Sequence, residues 1–496
     1  MSRIVVIGAG MGGLAAAIDL ARTGHSVTVL ERAASPGGKM RTLDVAGVAI
    51  DAGPTVFTMP WIFESLFRDA GLRMADHLEL VPAQILARHA WQDGSRLDLH
   101  ASVEQSVAAI RDFAGDHDAQ GYRDFCKRSA RLYDSLRDSF MTAQRPNVLQ
   151  LLSRLGPRGL AAMWNTTPWT TLWRALEDHF HDARLRQLFG RYATYVGSSP
   201  FAAPATLMLI AHVEQDGVCL VRGGMRNLAA ALERAAHGMG VEFRYRADAL
   251  EIEVEHQRIR GVRLASGERL EADAVVFNGN VDAIAHGLLG TAATRAIRTG
   301  ATQQRSLSAL TWCLHAQARG FPLEHHNVFF GDDYRREFAA VFGSASIAPS
   351  PTIYLCAQDR GGAATSSQVI AGRERMLLLV NAPADGDRLA ARNWNPDDIE
   401  RRSFDMLARC GLEFERTPND CLRTLPEDFD AAFPGSGGAL YGGANHGALG
   451  SFARPSARSD IRGLYFAGGS VHPGPGIPMA TLSGRLAAAR LNEDFG

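Results

Sequence analysis

Ile4-Val5-Val6-Ile7-Gly8-Ala9-Gly10-Met11-Gly12-Gly13-Leu14-Ala15-Ala16-Ala17 decides how this chain folds. The apolar run from Ile4 to Ile7, all β-branched, predicts a strand buried on both faces, as in a parallel sheet. It passes directly into Gly-x-Gly-x-x-Gly, carried by Gly8, Gly10 and Gly13, and then into helix formers. In that pattern the first glycine makes the tight turn. The second admits a pyrophosphate to the backbone, and the third lets helix and strand pack closely. Gly12 is a further position without a side chain, and the free N–H groups at the helix start favour an anion. A second strand, His25 to Leu30, ends in Glu31 with Arg32 beside it. An acidic group roughly 20 residues beyond such a turn accepts from a ribose hydroxyl. Glycines alone would say little. With strand, turn, helix, strand and terminal carboxylate in register, they predict a dinucleotide site.

The bulk properties narrow the class. The 496 residues are 46% hydrophobic and 21% charged, enough for two or three domains with sizeable cores. A net charge of −1 argues against a nucleic-acid partner. Six scattered cysteines without a CxxC pair fit a reduced, cytoplasmic chain. The first strand starts so early that no signal peptide is expected, and no apolar run is long enough to span a bilayer.

Further strands are predicted at Val218–Val221, Val241–Phe243, Leu250–Val254, Ala274–Asn278, Leu307–His315, Thr352–Ala357, Met376–Asn381 and Leu464–Ala467. Helices are predicted over much of Val103–Ala203, near Asp397–Cys410 and at Met479–Asn492. The expected architecture is α/β: a discontinuous Rossmann-like domain from 1–75, 205–298 and 435–496, and a mixed-sheet substrate domain from 76–102 and 299–434. A helical region spans 103–204.

Two more glycine-rich stretches carry chemistry. Ser35-Pro36-Gly37-Gly38-Lys39-Met40-Arg41-Thr42 brings two cations to a turn that permits close backbone approach. Ile50-Asp51-Ala52-Gly53-Pro54-Thr55 pairs a turn with a carboxylate whose expected role is structural. At the far end, Ala467-Gly468-Gly469-Ser470-Val471-His472-Pro473-Gly474-Pro475-Gly476-Ile477-Pro478-Met479 opens a helix. Two glycine-rich strand-to-helix turns at opposite ends of one chain suit a long cofactor such as FAD. No second Gly-x-Gly-x-x-Gly of comparable quality stands in the sequence, so no NADPH site is expected.

On these motifs the chain resembles the FAD-dependent carotenoid desaturases of the bacterial phytoene desaturase type, within the larger amine-oxidase-like flavoprotein group. The segments Leu188–Gly197, His325–Phe330, Tyr354–Arg360 and Phe433–Gly443 sharpen this to the 1-hydroxycarotenoid 3,4-desaturases, also called hydroxyneurosporene or methoxyneurosporene desaturases. Val471 stands where relatives often carry Thr. The resemblance implies FAD held by Gly8, Gly10, Gly12, Gly13, Glu31 and Arg32 at the nucleotide end. It places Gly38, Lys39, Met40, Arg41, Gly53, Pro54 and Thr55 along the cofactor, Ala249 at the adenine edge, and Gly469, Ile477, Pro478 and Met479 by the ribityl chain and ring. Because the flavin carries the redox chemistry, neither a catalytic triad nor a carboxylate pair is needed.

The implied substrate is an acyclic hydroxycarotenoid, losing a hydride from one carbon and a proton from its neighbour. Quinone or oxygen is the implied electron acceptor. His472, Arg191 and Tyr195 are the side chains open to a direct part. Arg191, Tyr192 and Tyr195 suit either the hydroxyl end of the substrate or an aromatic core, and His472 either accepts a proton or holds its loop. The segment 148–174, with Arg154, Arg158, Arg174, Trp164, Trp169, Leu172 and Trp173, suits either a monotopic contact with the inner or photosynthetic membrane or a core helix pair. No metal is expected. His325 and His326 lack an evident ligand partner, and His179 and His181 read as solvated. Other readings are a phytoene desaturase, a carotene isomerase, an amine oxidase, or a flavin-binding membrane protein without enzymatic activity.

Overall fold

The computed structural model describes residues 1–146, 150–151, 153–154, 169–297, 304–361, 372–448 and 450–495. Strand β1 (Arg3–Ile7) leads through helix α1 (Met11–Arg22) to strand β2 (Ser26–Glu31). These form the middle of a five-stranded, all-parallel sheet in the order Leu464–Phe466, Ala274–Phe277, β1, β2, Glu242–Tyr245. The sheet thus draws strands from the beginning, middle and end of the chain.

Alternation along β1 assigns its two faces. Ile4 and Val6 pack under α1 and the helices Arg226–Gly238 and Ile477–Phe495. Val5 and Ile7 pack under an antiparallel sheet of Ala249–Glu255, Arg258–Leu264 and Arg269–Glu271. Covering both faces explains the uninterrupted β-branched run, each fully buried side chain contributing roughly 1.5–3 kcal/mol. Helices α1 and Ile477–Phe495 touch where both carry glycine. A Cβ on Gly484 would stand 2.0 Å from the Gly12 carbonyl oxygen. Arg485 bonds Asp19 at 2.9 Å and Ser65 at 2.7 Å, which fixes this crossing to the helix Pro60–Asp69.

The second layer is an eight-stranded mixed sheet whose longest strands are Ser308–Arg319 and Glu374–Ala382. In Glu374–Ala382, Met376, Leu378 and Val380 enter a core beneath the helix Pro396–Arg409, whereas Leu377, Leu379 and Asn381 face a large cavity. Thr352 and Tyr354 face the same cavity while Ile353 and Leu355 point the other way. One face of this sheet is therefore core and the other is wall.

The region 103–204 is helical where described, with helices Val103–Ala114, Asp116–Leu136, Leu172–Glu177 and Ala183–Gly190 around an aromatic core of Tyr122, Phe125, Phe180 and Phe189. Here one open alternative is decided and one expectation is corrected. Leu172 is fully buried and Trp173 packs on Phe201 at 4.6 Å between ring centroids, so both are core rather than lipid contacts. His179 is half-buried, edge-on to Phe125 and bonded to Arg128, and burial holds its imidazole below the ordinary range. His181 is exposed and stacks on His117. Arg158 and Trp164 lie outside the described residues, and Trp169 is 73% exposed. Among the described residues no helix is long and apolar enough to cross a membrane.

Candidate active site

A single cavity of about 1490 Å³ opens at the carboxyl ends of the parallel strands and runs under the mixed sheet. In open parallel sheets ligands bind at this crevice, between neighbouring strands whose connections diverge. At one end the cavity is built from backbone. Gly8 turns the chain with φ +100°, a conformation that a side chain disfavours, and a Cβ on Gly13 would stand 2.0 Å from the Gly8 carbonyl oxygen. Gly10 caps α1 without any side-chain bond, so the first N–H groups of that helix keep no capping partner. Glu31 is buried, and its carboxylate accepts from Ala9 N and Ala33 N, each at 2.8 Å. Each oxygen retains a second lone pair for a ribose hydroxyl.

The Gly37-Gly38 turn bridges to Gly10, and Gly53 packs so closely that a Cβ would meet the Lys39 carbonyl oxygen at 2.0 Å. Asp51 acts structurally, accepting from Met225 N at 2.6 Å and tying this turn to the helix Arg226–Gly238. Lys39 Nζ donates to Leu440 O at 2.5 Å and lies 5.5 Å from the Phe433 ring centroid. Burial, with Arg454 nearby, pushes its ammonium down to about 8. Arg454 is fully buried and donates to the carbonyl oxygens of Tyr441, Gly443 and Gly469 at 3.0, 2.8 and 2.9 Å. It joins the C-terminal glycine turn to the opposite wall.

Beyond these turns the lining is apolar, with Leu136, Phe140, Leu151, Leu207, Ile210 and Val213, and it contains one polar pole beside Thr55. There Glu214 accepts from Tyr195 at 2.6 Å and from Tyr192 at 2.7 Å. Arg191 Nη1 donates to the Tyr195 hydroxyl at 3.1 Å, and the guanidinium lies 5.2 Å from the ring centroids of both Tyr195 and Tyr354. The Tyr354 hydroxyl is 2.5 Å from Thr55 Oγ1 and 2.8 Å from His326 Nδ1. Burial raises the Glu214 carboxyl above its ordinary range, against the pull of its tyrosine donors and Arg191.

Of the cofactor positions expected from sequence, Gly8, Gly10, Gly12, Glu31, Arg32, Gly38, Lys39, Met40, Arg41, Gly53, Pro54, Thr55, Ala249, Gly469, Ile477, Pro478 and Met479 all line this cavity. Gly13 sits behind the wall, at the strand–helix contact. Arg191 and Tyr195 line the cavity as well. His472 does not. Its ring is buried edge-on to Phe140, its Nε2 meets Ala143 O at 3.0 Å, and burial pushes its imidazole down to about 4. It therefore holds the loop rather than facing a ligand.

The histidine pair also needs correction, because His325 precedes its strand and escapes the alternation that would separate the two rings. His325, His326 and Cys356 converge with one ligand-type atom each within 4.8 Å. Cys356 Sγ lies 3.5 Å from His325 Nε2. Glu214, Tyr334 and Arg454 escaped sequence reasoning altogether. None belongs to a recognisable motif, and only the three-dimensional arrangement brings them to the cavity or its wall.

The fit to FAD rests on these features: a glycine cradle that any Cβ would fill, an uncapped helix start, and a buried carboxylate with free lone pairs. Comparisons with known proteins agree. Residues 11–492 match the family described as flavin containing amine oxidoreductase. The chain is 49% identical to a hydroxyneurosporene desaturase of Rubrivivax gelatinosus over 99% of this chain and 93% of that one. It is 44% identical to a protein of the same name from Cereibacter sphaeroides, over 99% and 98%. An oxidoreductase from Methanosarcina mazei shares the fold, with a TM-score of 0.60 and 16% identity over 97% of this chain and 99% of that one. Cradle, cavity and full-length likeness together place this chain in the flavin containing amine oxidoreductase family, among its FAD-dependent carotenoid desaturases.

Proposed function

We propose that the protein dehydrogenates the C3–C4 bond of a 1-hydroxylated acyclic carotenoid, with Gly8, Gly10, Gly12, Gly13, Glu31 and Arg32 holding the nucleotide end of FAD. In this reading Gly38 to Arg41, Gly53 to Thr55, Ala249, Gly469 and Ile477 to Met479 follow the rest of the cofactor. The observation that carries it is continuity: the glycine-built end and the long apolar end belong to one cavity. Bound FAD supplies the two-electron oxidation that no side chain can perform.

The chain's own residues do the rest. Leu377, Leu379 and the facing Leu207 and Ile210 exclude water and align one stretch of polyene against the cofactor wall. Burial of Lys39 against Leu440 O keeps an amine of lowered basicity at that wall. The discontinuous domain partition at 1–75, 205–298 and 435–496 belongs to this reading too. So does a peripheral approach to the membrane near the exposed Trp169, which also lines the cavity, with electrons passing on to a quinone or to oxygen.

The test is turnover by the FAD-loaded protein with 1-hydroxyneurosporene in liposomes, supplying a quinone or oxygen. A red-shifted carotenoid spectrum is expected. An unchanged spectrum with every acceptor would overturn the assignment, and peroxide release with amines would redirect it to amine oxidation.

A further inference from the structure

We propose that Arg191 and Tyr195 form an oxygen anchor that selects the hydroxylated end of the substrate and thereby fixes which C–C bond is oxidised. The inference rests on the desaturase reading above and adds the residues that set its specificity.

Arg191 is enclosed by the aromatic rings of Tyr195 and Tyr354 in an otherwise apolar channel. A guanidinium carries five N–H donors and no acceptor. One donor goes to the Tyr195 hydroxyl at 3.1 Å, and the carboxylates of Glu214 and Glu337 act on the guanidinium only from beyond direct pairing. A half-buried cation that turns its spare donors into an apolar channel is costly unless a ligand supplies acceptors. Because Arg191 only donates, the matching ligand atom is an oxygen with a lone pair. Tyr195 complements it. Its proton is committed to Glu214 at 2.6 Å, so towards the cavity its oxygen is an acceptor. Tyr192 holds the second carboxylate oxygen at 2.7 Å and keeps Glu214 in place. One alcohol oxygen can therefore accept from Arg191 and donate to Tyr195. A methyl ether can only accept, and a hydrocarbon end can do neither. Tyr334 lies on the same wall with its hydroxyl unpartnered among the described residues, a further polar group waiting at this pole.

Distance supplies the second argument. Bonds of about 1.5 Å put a C1 oxygen within roughly 5 Å of C4. A group that reads this oxygen must therefore stand beside the oxidant rather than at the remote end of the channel. Arg191 does so through Tyr354, whose hydroxyl touches Thr55 of the Gly53-Pro54-Thr55 turn, and that turn packs on Lys39. Holding the oxygen at Arg191 presents C3 and C4 to the cofactor wall. Without the anchor, a polyene slides along an apolar channel and loses its register.

The test compares kcat/KM for three chain-matched acyclic carotenoids, 1-hydroxy, 1-methoxy and unsubstituted, with product positions read from absorption and mass spectra. The wild type should prefer them in that order, hydroxy over unsubstituted by at least about 100-fold. In Arg191→Met that ratio should fall toward one and desaturation should scatter along the chain. Arg191→Lys, which keeps charge and donors, should recover part of the preference if the methionine variant folds poorly. Tyr195→Phe should erase the hydroxy-over-methoxy distinction while keeping oxygen over none. A preference preserved in both Arg191 variants would overturn the anchor and leave the desaturase reading standing. Failure of the wild type on all three substrates would overturn the reading on which it rests.

Discussion

The two ends of the cavity are built from different material. The nucleotide end is made of backbone: glycines, a helix start and one carboxylate, all within a few residues of strand termini. The polar pole is made of side chains from separate segments, with Arg191 and Tyr195 on one short helical turn, Glu214 on the helix Leu209–Gln215 and Tyr354 on a strand of the mixed sheet. A backbone site needs particular residue types at fixed short spacings, because only those let the chain turn and approach a phosphate. A side-chain site needs only that the fold bring its members together, and it can change its ligand without disturbing the cradle.

The sharpest way to break this division is at its joint. Arg454 ties the C-terminal glycine turn to the opposite wall through Gly469 O and Tyr441 O, and Asn445 Oδ1 also accepts from it at 3.2 Å. Arg454→Met would leave several buried acceptors unpaired, at a cost of about 3–5 kcal/mol in denaturant unfolding. A loss below about 1 kcal/mol would show that the two walls stand independently. Next in size, Glu31→Gln replaces a charged acceptor by a neutral one and should weaken FAD binding by about 10- to 100-fold by titration. It should leave the hydroxy-over-unsubstituted preference as in the wild type, and a parallel change in that preference would mean that the ends are not separable.

The smallest effect concerns the loop beside the C-terminal turn. His472 is held neutral, with its pKa pushed down to about 4 in the folded protein against an ordinary value near 6.5. Between those values the unfolded chain binds more protons, so this contribution is present above about pH 6.5 and is lost as pH falls toward 4. His472→Gln should remove about 1–2 kcal/mol of the stability lost between pH 7 and pH 5, read from urea midpoints at the two pH values. An unchanged slope would show that His472 titrates normally in the folded state.

This contrast also explains what the sequence disclosed. The β-branched run of β1, the glycine spacing and Glu31 are local, and their positions could be read directly. The apolar run from Met376 to Val380 marked a strand, but not which face would become cavity wall, since both faces are apolar. Glu214 gave no signal, because a single glutamate on a short helix looks like a solvated residue until two tyrosines are folded onto it. His472 keeps two readings open in the sequence for the opposite reason. Its neighbours in sequence line the cavity, yet its own ring turns away toward Phe140. Leu172 and Trp173 stay open in the sequence similarly, since an apolar stripe looks the same whether protein or lipid covers it.

The central sheet has a consequence for how the protein comes into being. Its middle strand β1 leaves the ribosome long before the edge strand Leu464–Phe466. At roughly 5–20 residues per second, the nascent amino-terminal half waits tens of seconds before its partner emerges. The cofactor cradle is therefore completed only once Leu464–Phe466 has been made, and the newborn chain must be sheltered or kept from sticking to its neighbours until then.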